Sequence, residues 1–167
     1  MGDSGEKPPQ PSEVFLKHPA NFLALGAGSG LAPVAPGTFG TVAAVPLVLL
    51  LPSNPVIYAL IVLITFLLGI YFCNYCTNDL RVHDHGAIVW DEWVGYFIAM
   101  FAVPKTAILV LIGFGLFRLF DVWKPWPIGP LDKRVHGGVG IMIDDVIAGV
   151  MACGLLHIGL SIGWLPG

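Results

Sequence analysis

A long stretch of this chain carries no charge. From His18 to Asn78 there is no Lys, Arg, Asp or Glu, and none follows Asp145. Between these stretches, the segment 117–145 holds eight charged side chains, out of 8 basic and 11 acidic ones in the whole sequence. Because charges are costly to place beside lipid, a charged segment between long apolar ones usually marks a functional site. The sequence therefore predicts an apolar scaffold around one charged region.

The composition favours a membrane protein. Hydrophobic residues make up 56% of the chain and the mean hydropathy is +0.80, above the range of typical soluble domains. The uncharged segment 56–77 is long enough to cross a bilayer as a helix. The net charge is only −3 and the basic residues form no long run, so nucleic acid is excluded as a partner.

The organisation predicted from the sequence is a short tail followed by a single domain. Residues 1–18 are polar and rich in proline, and such a segment buries too little apolar surface to offset its ordering entropy. We therefore expect a disordered tail over 1–18 and one helical domain over 19–167.

Apolar segments broken by Pro, Gly and polar residues predict the helices, and no strand-like alternation occurs. Thr38 is the predicted N-cap of the first. The expected helices cover 39–51, 56–77, 91–103 and 106–123, and a last one runs from 141 or 144 to about 164. The fold class is therefore all-α: a compact multi-helix membrane-embedded bundle, with some helices short enough to span only half of the bilayer.

The loop charges predict an orientation. If all five helices cross and the N-terminus is cytoplasmic, the tail and the loops 78–90 and 121–140 share the cytoplasmic face, and Lys105 alone lies opposite. This arrangement satisfies the positive-inside bias. It also places the acidic residues on the cytoplasmic side.

Acidic residues stand near the predicted helix ends, as Asp91-Glu92, Asp121 and Asp144-Asp145. Those at helix starts have a structural alternative, since carboxylates there cap free N–H groups. Asp121 lies near a C-terminal end, where the helix dipole disfavours an anion. Arg118 and Lys124, each three residues away, are the expected compensating cations.

Taken together, these carboxylates are oxygen ligands suited to Mg²⁺, which usually shares its coordination with a substrate phosphate. The candidate metal ligands are Asp84, Asp91, Glu92, Asp121, Asp144 and Asp145. Arg118 and Lys124 are expected to bind the phosphate. Further candidates for substrate binding are the backbone of Pro36, Gly37 and Thr38 and the side chains of Lys133, Arg134 and His136. The structural alternative for Pro36, Gly37 and Thr38 is a plain turn. For Lys133, Arg134 and His136 it is a solvated loop.

The sequence lacks the motifs of other phosphate-handling sites. It has no G-x-x-x-x-G-K-[ST] loop, and GAGSG is not followed by the spacing of a dinucleotide-binding loop. Neither a D-x-D pair nor a cysteine with an arginine six residues later occurs. Activation of water by a metal is the mechanism left for hydrolysis of a phosphate ester. Asp84 or Glu92 is the expected general base, and the other expected catalytic residues are Arg118, Asp121 and Lys124.

Four blocks of the sequence, GAGSGLAPVAPGTFGT, VHDHGAIVWDEWVG, FRLFDVWKPWPI and VHGGVGIMIDDVIAG, resemble the phosphatidylglycerophosphatase A family of bacterial inner-membrane lipid phosphatases. They span roughly 25–149. The resemblance implies an all-helical fold and Mg²⁺-dependent conversion of phosphatidylglycerophosphate to phosphatidylglycerol and inorganic phosphate. It also implies metal-binding and catalytic roles for the acidic residues of these blocks.

Other functions stay open at this point. One is a phosphatase acting on another lipid or polyprenyl phosphate. Another is a cation-transport subunit, since intramembrane acids often serve ion pathways, although the acids are expected at helix ends rather than mid-helix. The third is a structural membrane subunit without catalysis.

Overall fold

The computed structural model describes residues 7–82, 85–132, 135 and 137–166. These residues form helices joined by turns, with no strand among them, which confirms the predicted all-α class. The helices are α1 (Pro11–Val14), α2 (Pro19–Ala24), α3 (Pro36–Leu50), α4 (Pro55–Leu80), α5 (Trp90–Ala99), α6 (Ala107–Trp123), α7 (Ile128–Asp132) and α8 (Gly137–Ser161). A 3-10 turn over Gly26–Leu31 connects α2 to α3.

Two of the described helices, α4 and α8, are long and apolar enough to cross a membrane. Leucines and isoleucines along α4, including Leu60, Ile64 and Leu67, are more than half exposed on the surface of the bundle. An apolar surface of this extent is typical of contact with lipid, and the protein is membrane-associated. At 15 and 10 residues, α3 and α5 reach only about 22 and 15 Å. The orientation with five crossings stays a prediction.

Helix α8 lies at the centre of the bundle and packs against α4, α5, α6 and α7. Its contact with α5 depends on two glycines. A Cβ at Gly149 would lie 2.3 Å from the Gly95 carbonyl oxygen, and a Cβ at Gly95 would lie 2.7 Å from the Asp145 carbonyl oxygen. The two backbones therefore meet without intervening side chains, and the N-terminal turn of α5 lies beside Asp145.

The start of α3 differs from the prediction. Thr38 is not the N-cap: Ala35 holds that position in a left-handed conformation, with φ 48°, and Pro36 begins the helix. Proline suits the first helical position because its φ is already helical and its missing N–H has no partner to lose. The Thr38 N–H donates to the Ala35 carbonyl over 2.9 Å.

The predicted bounds of the helices on either side of the site were also wrong. Helix α5 ends at Ala99 rather than near 103, because the chain turns at Ala102, where φ is 55°. Helix α8 begins at Gly137 rather than at 141 or 144. Its glycine-rich start is helical because Gly138 packs onto the Ile70 backbone of α4, where a Cβ would lie 2.1 Å from the carbonyl oxygen. Asp144 and Asp145 therefore lie about two turns inside α8, not in its first turn.

The segment predicted to be a disordered tail includes α1, which contacts the rest of the structure. Val14 in α1 is buried, and its carbonyl accepts a hydrogen bond of 3.1 Å from the buried Asn21 side chain. Asn21 also donates to Asp79 of α4 over 2.7 Å. These contacts with α2 and α4 bury part of the segment, which its composition alone does not predict.

The packing of α5 on α8 gives a stability prediction. Gly149→Ala places a methyl group against the Gly95 carbonyl, and we expect the free energy of unfolding to fall by about 1–3 kcal/mol, the usual cost of overpacking. A lower melting temperature in detergent measures this effect. Gly115→Ala on α6 is the matched control because its Cβ would meet no atom within 4 Å. Equal melting temperatures for the two variants would contradict the packing account.

Candidate active site

Three carboxyl groups meet where α5 begins and α8 passes it. Asp91 and Glu92 lie in the first turn of α5, and Asp145 faces them from α8. Each offers an oxygen within 4.8 Å of the oxygens of the other two. One oxygen of each, Asp91 Oδ1, Glu92 Oε2 and Asp145 Oδ2, is buried without a hydrogen-bond partner. We call these three residues the carboxylate cluster.

The negative charge of the cluster is only partly compensated by a neighbouring cation. Burial, and after it repulsion from Glu92, raises the pKa of Asp91 well above its ordinary value. Burial and repulsion from Asp145 do the same for the pKa of Glu92, although Arg118 opposes the shift. A raised carboxyl pKa means that the folded state binds protons more readily than the unfolded state, so the metal-free fold loses stability as pH rises. A bound cation would remove this penalty.

Arg118 on α6 borders the cluster. Its guanidinium lies 2.5 Å from the Asp121 carboxylate, one turn further along the same helix, and 3.8 Å from Glu92. The i,i+3 spacing puts Arg118 and Asp121 on one helix face. The buried Arg118 Nε has no hydrogen-bond partner among the described residues. The guanidinium is thus held by carboxylates and keeps a donor for a further anion.

Lys124 follows α6 directly, in a left-handed conformation with φ 46° that ends the helix. Its ammonium group lies 2.7 Å from the Asp144 carboxylate on α8. The other oxygen of Asp144 accepts a hydrogen bond of 3.1 Å from the Asp145 N–H. Asp144 therefore connects Lys124 to the helix that carries Asp145.

The N-terminus of α3 reaches the same place. A Cβ at Gly37 would lie 2.2 Å from Glu92 Oε1 and 3.3 Å from two nitrogens of Arg118. Of the predicted backbone donors, Pro36 has no N–H, and the Thr38 N–H is used within the helix start. Gly37 also lies against the site. It is therefore the one of these three residues whose backbone N–H is not used in the hydrogen bonds that start the helix.

The structure sorts the predicted metal ligands into three groups. Asp91, Glu92 and Asp145 form the carboxylate cluster. Asp121 and Asp144 lie beside it, each paired with a cation. Asp84, and with it the substrate-binding candidates Lys133, Arg134 and His136, lies outside the described residues.

The cluster fits a hard divalent cation. Mg²⁺ prefers carboxylate oxygens and completes its coordination with water and phosphate oxygens. Three buried carboxylate oxygens without partners are costly on their own, whereas a shared cation would satisfy all three. Among the residues that the structure describes, Asp91, Glu92 and Asp145 are therefore the group suited to hold a metal.

The fold and the site together define a class: an all-helical, membrane-associated protein with an acidic centre flanked by Arg118 and Lys124. The comparisons with known proteins place the chain within that class. Residues 22–160 match the family model described as phosphatidylglycerophosphatase A. The chain belongs to the phosphatidylglycerophosphatase A family and is a phosphatase.

Individual relatives agree with the family match. The chain is 46% identical over 148 residues to "Phosphatidylglycerophosphatase A" of Escherichia coli, covering 87% of this chain and 86% of the relative. It is also 46% identical over 143 residues to the Haemophilus influenzae protein of the same name, covering 84% and 88%. A Bacteroides thetaiotaomicron relative, "Putative phosphatidylinositol-3-phosphatase", is 39% identical over 139 residues, covering 77% and 86%. No solved structure shows significant similarity to the chain.

Sequence reasoning missed two features of the site. It did not predict that Asp144, one of the expected metal ligands, pairs with Lys124. It also gave Gly95 and Gly149 no role, although they determine how closely α5 and α8 approach. The expectation that all the acids lie at helix ends, used against ion transport, does not hold for Asp144 and Asp145. Family membership, rather than acid position, decides in favour of an enzyme.

Gly37 gives a test of the site geometry. Gly37→Ala adds a methyl group in the space of the Glu92 carboxylate, and we expect phosphatase activity to fall at least about tenfold, since small displacements at a reacting centre are costly. The melting temperature should change little, because Gly37 lies in the first turn of α3. Gly115→Ala serves as the control and should keep full activity. Full activity of the Gly37→Ala enzyme would show that the α3 N-terminus is not part of the site.

Proposed function

We propose that this phosphatase removes the terminal phosphate of phosphatidylglycerophosphate, in a Mg²⁺-dependent reaction that yields phosphatidylglycerol and inorganic phosphate. This reaction would be a step of glycerophospholipid biosynthesis. The observation that carries the proposal is the carboxylate cluster, with three unpartnered oxygens next to an arginine that keeps a free donor. The substrate itself is proposed from the names of the two relatives at 46% identity.

Asp91, Glu92 and Asp145 would hold Mg²⁺. When bound, the cation would supply Lewis-acid chemistry, stabilising the negative charge of the reacting phosphate and activating water. The proposed metal requirement rests on the chemistry of the cluster: oxygen donors only, buried, and mutually repulsive without a cation.

The two basic residues would bind the phosphate oxygens. Arg118 is oriented by Asp121, so its planar guanidinium can donate to a phosphate without a large loss of side-chain freedom. Lys124, oriented by Asp144, adds a point charge. Donors fixed in advance stabilise the charge that spreads over the phosphoryl oxygens in the transition state.

Glu92 is the proposed general base within the described residues, with Asp84 as the alternative. Of its two oxygens, Oε2 would hold the metal, which leaves Oε1, on the Gly37 side, to accept a proton. It would accept the proton of the water that attacks phosphorus. The Gly37 N–H would be a further donor to a phosphate oxygen, since this residue lies against Glu92 and Arg118.

The proposed location is the inner (cytoplasmic) membrane of a bacterium, with the site on the cytoplasmic face. The charge distribution of the loops supports this orientation. Trp123 and Trp126, which flank Lys124, are 67% and 82% exposed, and exposed tryptophans are typical of the membrane–water interface. A site at that level can reach a lipid phosphate without extracting the lipid.

A phosphatase for a different lipid phosphate is the second candidate. The Bacteroides thetaiotaomicron relative carries the name of a phosphoinositide phosphatase at 39% identity. The residues proposed to contact the phosphate and the metal distinguish no headgroup, so related sequences can share the centre and differ in the lipid they accept.

Chelation tests the proposed reaction directly. Protein purified in detergent should release phosphate from phosphatidylglycerophosphate, lose this activity in EDTA, and regain it when Mg²⁺ is added in excess. A panel including phosphatidic acid and phosphatidylinositol 3-phosphate should be hydrolysed more slowly. Full activity in EDTA would contradict the metal mechanism, and a faster reaction with another lipid phosphate would reassign the substrate.

Substitutions of the adjacent carboxylates Asp144 and Asp145 on α8 should affect different kinetic parameters. Asp145→Asn removes a proposed metal ligand, so the Mg²⁺ concentration needed for half-maximal activity should rise at least about tenfold. Asp144→Asn leaves the cluster intact but releases Lys124, so turnover should fall about 10- to 100-fold with an unchanged Mg²⁺ requirement. The same Mg²⁺ dependence in both variants would show that the two residues do not divide the roles in this way.

A further inference from the structure

A cavity of about 440 Å³ lies between the start of α1, the 3-10 turn, the start of α3 and the segment that leads into α5. Its volume is within the range of small-molecule binding sites. The residues that line it include Gln10, Ser12, Leu31, Pro36, His85 and Gly86. A Cβ at Gly86 would meet no atom within 4 Å, so the space on this side of the cavity is open to a ligand.

The start of α3 is one wall that the cavity shares with the candidate active site. Pro36 lines the cavity. The next residue, Gly37, lies against Glu92 and Arg118, where a Cβ would be 3.3 Å from two guanidinium nitrogens. A phosphate held by Arg118 would therefore lie next to the cavity.

The segment that leads into α5 is the second shared wall. Ala87 lines the cavity, and the chain reaches Asp91 four residues later. Two glycines pack closely on this segment. A Cβ at Gly30 would lie 2.0 Å from the Ala87 carbonyl oxygen, and a Cβ at Gly40 would lie 2.6 Å from the Val89 Cβ. The 3-10 turn and α3 thus fix the position of this wall relative to the carboxylate cluster.

His85 supplies a hydrogen-bond donor of defined identity to the lining. Its Nδ1 accepts a hydrogen bond of 3.1 Å from the Ala87 N–H. A ring nitrogen that accepts a hydrogen bond carries no proton, so the proton of the neutral ring is on Nε2. Nε2 can therefore donate to an oxygen of a ligand in the cavity.

The chemistry of the lining suits a neutral polar ligand. None of the described lining residues is Lys, Arg, Asp or Glu, so this part of the cavity offers no cation to a second phosphate. Gln10 and Ser12 add an amide and a hydroxyl group to the imidazole of His85. Such groups both donate to and accept from alcohols, and a polyol is the ligand class that they match.

We propose that this cavity binds the glycerol unit that carries the terminal phosphate of the substrate, and that His85 Nε2 donates to the free hydroxyl group of that glycerol. The inference rests on the proposed function and adds a residue that selects the headgroup. The glycerol unit matches the cavity in charge because it is neutral. It matches the cavity in position because it is bonded directly to the phosphate proposed to lie at Arg118.

A cycle of one side-chain change and one substrate change tests this hydrogen bond. His85→Ala should lower kcat/KM for phosphatidylglycerophosphate about three- to tenfold, the usual effect of losing one neutral hydrogen bond. An analogue with hydrogen in place of the central hydroxyl of the headgroup glycerol should lose a similar factor with the wild-type enzyme. His85→Ala should then slow the analogue no further, because the same hydrogen bond is already absent.

His18→Ala is the matched control. Like His85, His18 accepts a backbone hydrogen bond at Nδ1 from the residue two positions later, over 3.1 Å. Its ring stacks on Tyr75 and is not part of the cavity lining, so this variant should keep the wild-type preference for the natural substrate over the analogue. His85→Gln, whose side-chain amide can donate in place of Nε2, should retain part of that preference. The melting temperatures of the variants report any general loss of folding.

Several outcomes would overturn the proposal. If His85→Ala slows both substrates by the same factor, or slows neither, the glycerol hydroxyl is not its partner. A rise in the Mg²⁺ concentration that His85→Ala needs for half-maximal activity would assign His85 to the metal centre instead. Wild-type protein that is inactive on phosphatidylglycerophosphate but active on another lipid phosphate would contradict the proposed function, and the glycerol assignment with it.

Discussion

The structure depends on a single electrostatic constraint: three carboxyl groups are buried within 4.8 Å of one another in an apolar bundle. Buried like charges raise one another's pKa and cost stability, and one oxygen of each group lacks a hydrogen-bond partner. Folded proteins rarely retain such an arrangement without a function that needs it. A hard cation shared by Asp91, Glu92 and Asp145 would resolve the repulsion and the missing partners together.

Backbone packing determines where this constraint is met. Gly95 and Gly149 let α5 and α8 approach without side chains between them, and that approach brings Glu92 and Asp145 together. Gly37 does the same for the start of α3, leaving space for the Glu92 carboxylate. The basic residues come from α6 and the turn that follows it, each held by its own carboxylate, Asp121 or Asp144. The parts proposed to bind metal and phosphate thus come from different helices that meet at one end of the bundle.

Much of this arrangement follows from the sequence because it depends on local rules. Thr106 caps α6, as the position of a hydroxyl residue before an apolar run indicates, and Arg118 pairs with Asp121 because their spacing places them on one face. Charged residues in an apolar chain also indicate which acidic and basic side chains to expect near one another. The start of α8 was not predictable from the sequence. Gly137 and Gly138 indicate a break in the helix, and only the packing of Gly138 on Ile70 explains why the segment is helical. The sequence also does not distinguish Asp144 from Asp145. Their side chains point about 100° apart around α8, and only the packing of α8 on α5 determines which of them faces Asp91 and Glu92.

The central claim is that the carboxylate cluster is the metal centre of this phosphatase. Anomalous diffraction from crystals soaked in Mn²⁺, a substitute for Mg²⁺ with a strong anomalous signal, tests it most directly. The account predicts a peak in contact with oxygens of Asp91, Glu92 and Asp145, absent from crystals of the Asp145→Asn protein. A peak elsewhere, or the same peak in Asp145→Asn crystals, would contradict it.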